Sequence, residues 1–427
     1  MKILLKNGHI IEPHSGLDLL ADILIVDGII EKIGTKISVG ASIQKYELDG
    51  KIVAPGFMDM HVHLREPGYE HKETIETGLA AAASGGFSAV CCMPNTNPPI
   101  DDASVVKYIK EKAAKVKNGL VDVFPVAAAT KGREGNELSP MMELAEAGAV
   151  AFSDDGSPIE NSEVMKRAME YADMVGKIII QHPEDRSLTK GGVMNEGFVS
   201  TSIGLPPMPA IAEEIMIMRD VMIAEYANTR YHAAHISTAG SVEIIRQAKK
   251  RGLKVTCEVT PHHFTLTEEV VRSFDTNTKM NPPLRTQEDI EAIKAGLKDG
   301  TIDVIASDHA PHSFDEKEVE FLEAPFGIVG LETALGLAVT ELVHPKILSI
   351  NQLIEKFSIN PRKILNLPVI KISMGEKANL TIIDTEKEWR VDVSKFKSKS
   401  KNSPFNGRIL KGKSYGIING GILYHCQ

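Results

Sequence analysis

Eight short apolar runs punctuate the middle of this chain: FMDMHVHL (57–64), SAVCCMPN (88–95), VDVFPVAAA (121–129), AVAFSDDG (149–156), KIIIQHPED (177–185), RYHAAHIST (230–238), KVTCEVTPHH (254–263) and DVIASDHAPH (303–312). Between them lie helix-length stretches such as ASVVKYIKEKAAKV, SEVMKRAMEYADMVG and GSVEIIRQAKKRG. Strand-length runs alternating with helices describe βα units, whose strands lie parallel. Eight of them close a (β/α)8 barrel of TIM type, expected here over residues 55–370. A doubly wound open sheet is the structural alternative, but no GxGxxG follows the first run to favour it. The two ends have another rhythm. Residues 1–54 and 371–427 carry alternating short strands broken by Asn-Gly and Asp-Gly, the chemistry of hairpins. The expected fold class is therefore α/β: a barrel with a small β-sandwich domain contributed by both termini.

The ends of the eight runs are unusual. Of 14 histidines, His61, His63, His182, His235, His262, His263, His309 and His312 lie at or just beyond the carboxyl end of a run, as do Asp154, Asp155 and Asp308. In a barrel those ends gather at one mouth. His61 and His63 are two apart, so on a strand they share a face. Imidazoles mixed with carboxylates suit Zn²⁺, Mn²⁺, Fe or Co, whereas Ca²⁺ and Mg²⁺ prefer oxygen shells. The first strand offers His61 and His63, the fourth Asp155 or Asp154, the fifth His182, the sixth His235 and the eighth Asp308. That suffices for two metals if one carboxylate bridges them. Any one of these residues alone reads equally well as a hydrogen-bonded rim residue; six in order around one barrel do not. Arg65 follows the first pair, and its planar fork matches a carboxylate bidentately. An ion pair with Glu66 or Asp59 is its structural alternative.

Composition narrows the class. Lys+Arg 48 against Asp+Glu 57 gives a net charge of −9, so no basic field points to nucleic acid or an anionic membrane. The four cysteines (Cys91, Cys92, Cys257, Cys426) contain no CxxC; they form neither a disulfide framework nor a zinc finger, and Cys91 and Cys92 read as core strand residues. The start MKILLKNGHIIEPHSG lacks a signal-peptide core and no run reaches membrane-helix length, so a soluble cytoplasmic protein is expected. Met-rich EEIMIMRDVMIAE reads as a buried helix face. The Lys/Ser stretch KFKSKSKNSP (395–404) reads as a solvated loop between strands. Residues 312–327 read as either a mobile lid or a static loop over the site.

The motifs DMHVHLREPG, MPNTNPPID, AFSDDGSP, QHPED, AHIST, KMNPPLR, ASDHAPH and APFGIVGLETAL occur in this order. Together with the flanking β segments they resemble the dihydroorotases of bacterial class I, within the amidohydrolase superfamily, over essentially the whole chain. The resemblance implies that His61, His63 and Asp308 hold one metal and His182 with His235 a second, with Asp155 between them; Asp154 is the competing assignment. It implies that Arg65, Asn95 and His312 bind the substrate carboxylate and that Asn281 and Phe326–Gly327 contact a pyrimidine ring, with His63 also at the substrate. Many superfamily members bridge their metals with a carboxylated lysine at the end of strand four. Here AVAFSDDG has no lysine, and one or two Zn²⁺ ions per subunit are expected. The implied activity is interconversion of N-carbamoyl-L-aspartate and L-dihydroorotate in pyrimidine biosynthesis, with Asp308 as general acid/base. A hydantoinase or allantoinase is the rival within the class. A silent homologue serving as a structural partner of aspartate transcarbamoylase is the rival outside it. A homo-oligomer, and assembly with that transcarbamoylase, are the expected protein contacts.

Overall fold

The computed structural model describes residues 2–40 and 43–426. Eight strands form one sheet in sequential order: Phe57–Val62, Phe87–Cys92, Asp122–Ala127, Ala151–Phe152, Ile179–Gln181, Tyr231–Ala233, Val255–Val259 and Val304–Ile305. Every neighbouring pair is parallel. A parallel bridge between Val62 and His309 joins the first strand to the end of the eighth, and the His63 N–H donates to His309 O at 2.9 Å. The sheet is thus a closed barrel. Its first two strands are buried at every position, which is why they read as unbroken apolar runs.

Five outer helices begin where short polar side chains satisfy free N–H groups. The Asp102 carboxylate accepts from Ser104 N–H and starts Ala103–Lys115, whose Val105, Val106, Ile109 and Ala113 form one inward stripe. Thr74, Asn161, Thr238 and Thr286 cap Ile75–Gly85, Ser162–Met174, Ala239–Lys250 and Gln287–Asp299 in the same way. Because each cap ends a βα loop, it also fixes how far that loop extends over the barrel mouth.

Strands from both termini make one continuous eight-stranded sheet. Its order is Ile422–His425, Ile409–Asn419, Leu380–Arg390, Ile52–Pro55, Lys2–Glu12, Leu17–Val26 and Ile29–Gly34, with Gln44–Glu47 beside Lys2–Glu12. Its own core holds Ile3, Ile10, Ile23, Ile25, Val53, Leu380, Ile382 and Ile418. Leu380–Arg390 pairs antiparallel with Ile52–Pro55, so the two termini meet just before the first barrel strand. No helix among the described residues is long and apolar enough to cross a membrane.

Two local expectations need correction. The Met-rich helix Ile211–Ala227 buries Met216 and Ile217, but Ile211, Ile215, Met218, Met222 and Tyr226 form an exposed stripe at helical spacing. The stretch 395–404 does connect Leu380–Arg390 to Ile409–Asn419, yet it is solvated on one edge only: Ser398, Ser400, Asn402 and Ser403 are buried.

Candidate active site

The first barrel strand brings His61 and His63 to the carboxyl-terminal mouth, and both are buried. His63 Nε2 lies 2.9 Å from Asp308 Oδ1, with His61 Nε2 3.7 Å from the same oxygen. Asp155 stands on the other side, its Oδ1 3.3 Å from His61 Nε2 and 3.7 Å from His235 Nε2, its Oδ2 3.6 Å from His63 Nε2. His182 Nδ1 is 3.0 Å from His235 Nε2 and 4.0 Å from Asp155 Oδ1. Four imidazoles therefore converge on Asp155, two of them shared with Asp308. Asp154 points elsewhere: its carboxylate accepts from the Ala129 and Thr130 N–H groups at 2.9 and 3.0 Å and from the Thr130 hydroxyl.

Backbone strain marks the same positions. Arg65, His235 and Asp308 have φ of 60°, 30° and 43°, in the left-handed region that side-chain-bearing residues avoid. Asp59, deep beneath the site, accepts from the His61 and Ser307 N–H groups at 3.1 Å and so ties the ends of the first and eighth strands together. Burial pushes its carboxyl up to about 7.

The donor chemistry fits a metal. His61 Nε2 and Asp155 Oδ1 are fully buried and face each other without a hydrogen-bonding partner among the described residues, and His235 Nε2 lies 3.7 Å from the same Asp155 oxygen. Two sets of ligand atoms, His61/His63/Asp308 and His61/Asp155/His235, are each close enough to share an ion. Behind them stand partners that fix ring orientation. Glu258 accepts from His61 Nδ1 at 2.6 Å and lies 3.3 Å from His232 Nε2, which leaves His61 Nε2 as the free donor atom. Burial alone would raise the Glu258 carboxyl, but His61 and His232 hold it down at about 2. Glu184 does the same for His182, 3.0 Å from its Nε2, and also accepts from Asn281 Nδ2 at 3.1 Å. Burial opposes ionisation of Glu184 too, and His182 keeps it at about 2.

Neither Glu258 nor Glu184 stood out from the sequence. Each had a signal: Glu258 is a lone carboxylate inside an apolar run, a residue type almost never buried unless paired, and Glu184 sits two residues from His182.

The remaining residues line the mouth. Asn95 Oδ1 lies 2.8 Å from His63 Nδ1 and its Nδ2 donates to Asp155 Oδ2 at 3.5 Å, so its amide orients two of the converging side chains. Arg65 makes no ion pair among the described residues: Asp59 is turned to the backbone, and Glu66 pairs with Lys112. The Arg65 Nε donates to Pro311 O at 3.1 Å, and Nη2 is 3.4 Å from His312 Nε2. Burial, then the nearby Arg65 and Lys72 charges, keep His312 neutral down to about 2. Gly327 has φ 150°, and a Cβ there would stand 2.6 Å from Ala310 O and 2.8 Å from His312 Cδ2, so only glycine passes beside that ring. The segment 312–327 is anchored rather than free-standing: Lys317 Nζ donates to Thr276 O and Pro325 O, and Lys279 Nζ to Phe321 O and Leu322 O.

A closed parallel barrel with imidazoles and carboxylates converging at its carboxyl-terminal mouth defines a metal-dependent hydrolase of the amidohydrolase class. Residues 50–241 match the family model described as dihydro-orotase-like. A dihydroorotase of Geobacter sp. strain M21 is 52% identical over 427 residues, covering 100% of both chains. One from Pelotomaculum thermopropionicum is 51% identical over 421 residues, 99% of this chain and 98% of its own. The chain belongs to the dihydroorotase family. Among solved structures, an L-hydantoinase (dihydropyrimidinase) from Arthrobacter aurescens superposes with a TM-score of 0.86 at 26% identity, covering 99% of this chain and 95% of its own.

Proposed function

We propose that this chain carries out the reversible cyclisation of N-carbamoyl-L-aspartate to L-dihydroorotate in pyrimidine biosynthesis, a metal-dependent cyclic amide reaction. The observation that carries the substrate assignment is the Arg65 guanidinium, which has no ion pair among the described residues and stands beside the His/Asp cluster. Zinc is the metal in this reading, held by His61, His63, Asp155, His182, His235 and Asp308, and when bound it would supply Lewis acidity and acidify water. The chain's own residues do the rest. Arg65, with Asn95 and His312, receives the substrate carboxylate. Asn281 and Phe326–Gly327 meet the ring. In hydrolysis the Asp308 carboxylate takes a proton from the attacking water and returns it to the ring nitrogen as the C–N bond breaks. In cyclisation the same carboxylate removes a proton from the ureido nitrogen as that bond forms and returns it to the departing hydroxyl of the side-chain carboxyl, so that the C–O bond breaks and water leaves.

Purified, zinc-supplemented protein assayed with dihydroorotate, carbamoyl-aspartate and a hydantoin tests this. Turnover of the first two, with little on the hydantoin, supports the reading; preference for the hydantoin overturns it. Arg65→Ala is expected to lower kcat/KM for dihydroorotate by about 10- to 100-fold, the equivalent of a lost charge-assisted pair of ~1.5–3 kcal/mol. It should leave any residual rate on the carboxylate-free hydantoin nearly unchanged. If the zinc-bound protein is inactive alone, the assay repeated with aspartate transcarbamoylase tests the partner reading.

A homo-oligomer belongs to the same proposal, supported by the exposed stripe Ile211, Ile215, Met218, Met222 and Tyr226. Met218→Glu is expected to shift sedimentation toward the monomer; an unchanged profile would exclude this face as the interface.

A further inference from the structure

The stretch Lys397–Asn402 alternates lysine with a small polar residue, KSKSKN. In extended backbone that pattern puts the two types on opposite edges. Lys397, Lys399 and Lys401 are exposed, whereas Ser398, Ser400 and Asn402 are 1, 4 and 4% exposed. The buried edge meets loops of the barrel mouth. The Ser398 hydroxyl donates to Glu73 Oε2 at 2.5 Å and the Lys399 N–H to Glu73 Oε1 at 3.0 Å. Ser400 donates to Lys72 O at 2.6 Å. Glu73 Oε2 is in turn 3.3 Å from Nε2 of His309, the neighbour of Asp308.

Asn402 spends its whole side chain on two loops. Nδ2 donates to Ala310 O and to Gly327 O, each at 3.0 Å, and Oδ1 accepts the His312 N–H at 3.1 Å. Its carbonyl accepts the Val329 N–H at 2.9 Å. An amide has two N–H donors, and both are used. All three side-chain bonds end on the backbone of the segments carrying His312 and Gly327. Those segments follow the eighth barrel strand, while Asn402 comes from the connection between two strands of the terminal sheet.

We infer that Asn402 is a positioning residue for substrate binding: through the edge Ser398–Ser400–Asn402, the terminal sheet straps the barrel mouth and sets the spacing between His312 and Phe326–Gly327. The inference rests on the dihydroorotase reading for its kinetic readout but not for its structural one. Removing the amide leaves two buried carbonyls and one N–H unpaired, and the loops relax toward other partners. Because His312 and Gly327 stand at the carboxylate and ring rather than at the metal cluster, the loss falls on binding.

The test compares zinc-loaded Asn402→Ala and Asn402→Asp with wild type in three measurements: steady-state kinetics on dihydroorotate, zinc content, and hydrogen exchange at the His312 and Gly327 amides. For Asn402→Ala, KM is expected to rise about tenfold or more with kcat within about threefold, zinc content unchanged, and His312 protection lost. Asn402→Asp keeps the acceptor for the His312 N–H and lacks both donors. It should retain His312 protection and still show a raised KM, including at high salt, where a purely charge-based effect fades. Being nearly the size of asparagine, it carries the test if the alanine variant does not fold. An unchanged KM despite lost protection overturns the inference. So does a parallel fall of kcat and zinc content, the mark of a general structural role. Wild type inactive on dihydroorotate would sink the substrate reading instead, and the exchange data would then decide whether Asn402 braces the loops.

Discussion

Asp308→Asn is expected to reduce kcat by about 10³- to 10⁴-fold for both ring opening and ring closure, at the upper end of what a positioned proton-transfer group contributes. The substitution preserves shape and removes the basic oxygen. In the native chain burial works against ionisation of Asp308, but the hydrogen bond from His63 and the charges of His61, His63 and His235 hold it well below the usual carboxylate range, so it is ionised at neutral pH. Its strained φ of 43° is imposed by its neighbours: the His309 N–H bonds to the Ser307 hydroxyl at 3.1 Å and the Ser307 N–H to Asp59. An asparagine inherits that scaffold, and the fold should survive. Zinc content, thermal unfolding and both rate directions need measuring together. A variant with full zinc and more than about a tenth of wild-type kcat would show that Asp308 is not the acid/base.

The same residues show why some features of this molecule are visible in sequence and others are not. Parallel strands covered on both faces appear as apolar runs, so the eight-strand count is legible, although the fourth and eighth ladders shrink to Ala151–Phe152 and Val304–Ile305. The histidines and aspartates at run ends are conspicuous because polar groups there interrupt an otherwise apolar text. Which of Asp154 and Asp155 faces the mouth is not legible, since adjacent residues diverge by backbone geometry alone and the answer depends on N–H groups of Ala129 and Thr130. Asn402 is hidden for a similar reason: its partners are backbone atoms 75 to 92 residues away, and a backbone atom has no letter. Its one trace is the lysine/serine alternation, a strand period without the apolar residues that normally reveal it. The Met-rich helix misleads in the opposite direction, because apolar residues on opposite sides of a helix look alike in sequence and only one side met a neighbour.

Chelation of the metal is expected to abolish turnover, by more than about 10³-fold, and to lower thermal stability, with both restored by added zinc. The buried cluster gives the reason. Among the described residues His61 Nε2 and Asp155 Oδ1 are buried and have no hydrogen-bonding partner, and each such orphan costs ~1–3 kcal/mol. An ion that pairs them binds the folded chain alone, and at a free concentration about 1,000 times Kd it adds ~4 kcal/mol to stability. Calorimetric titration of the stripped protein reads the stoichiometry directly. A single transition would mean that Asp155, shorter than a carboxylated lysine, supports one tight ion; two would mean that it bridges. Glu258→Gln separates ring orientation from ligation. It leaves all six converging residues in place but weakens the acceptor that fixes the His61 tautomer, and should reduce zinc affinity by about 10- to 100-fold. Activity should return when zinc is raised by the same factor. If Glu258→Gln holds zinc as tightly as wild type, His61 needs no such partner. If the stripped enzyme keeps turning over, the metal reading fails as a whole.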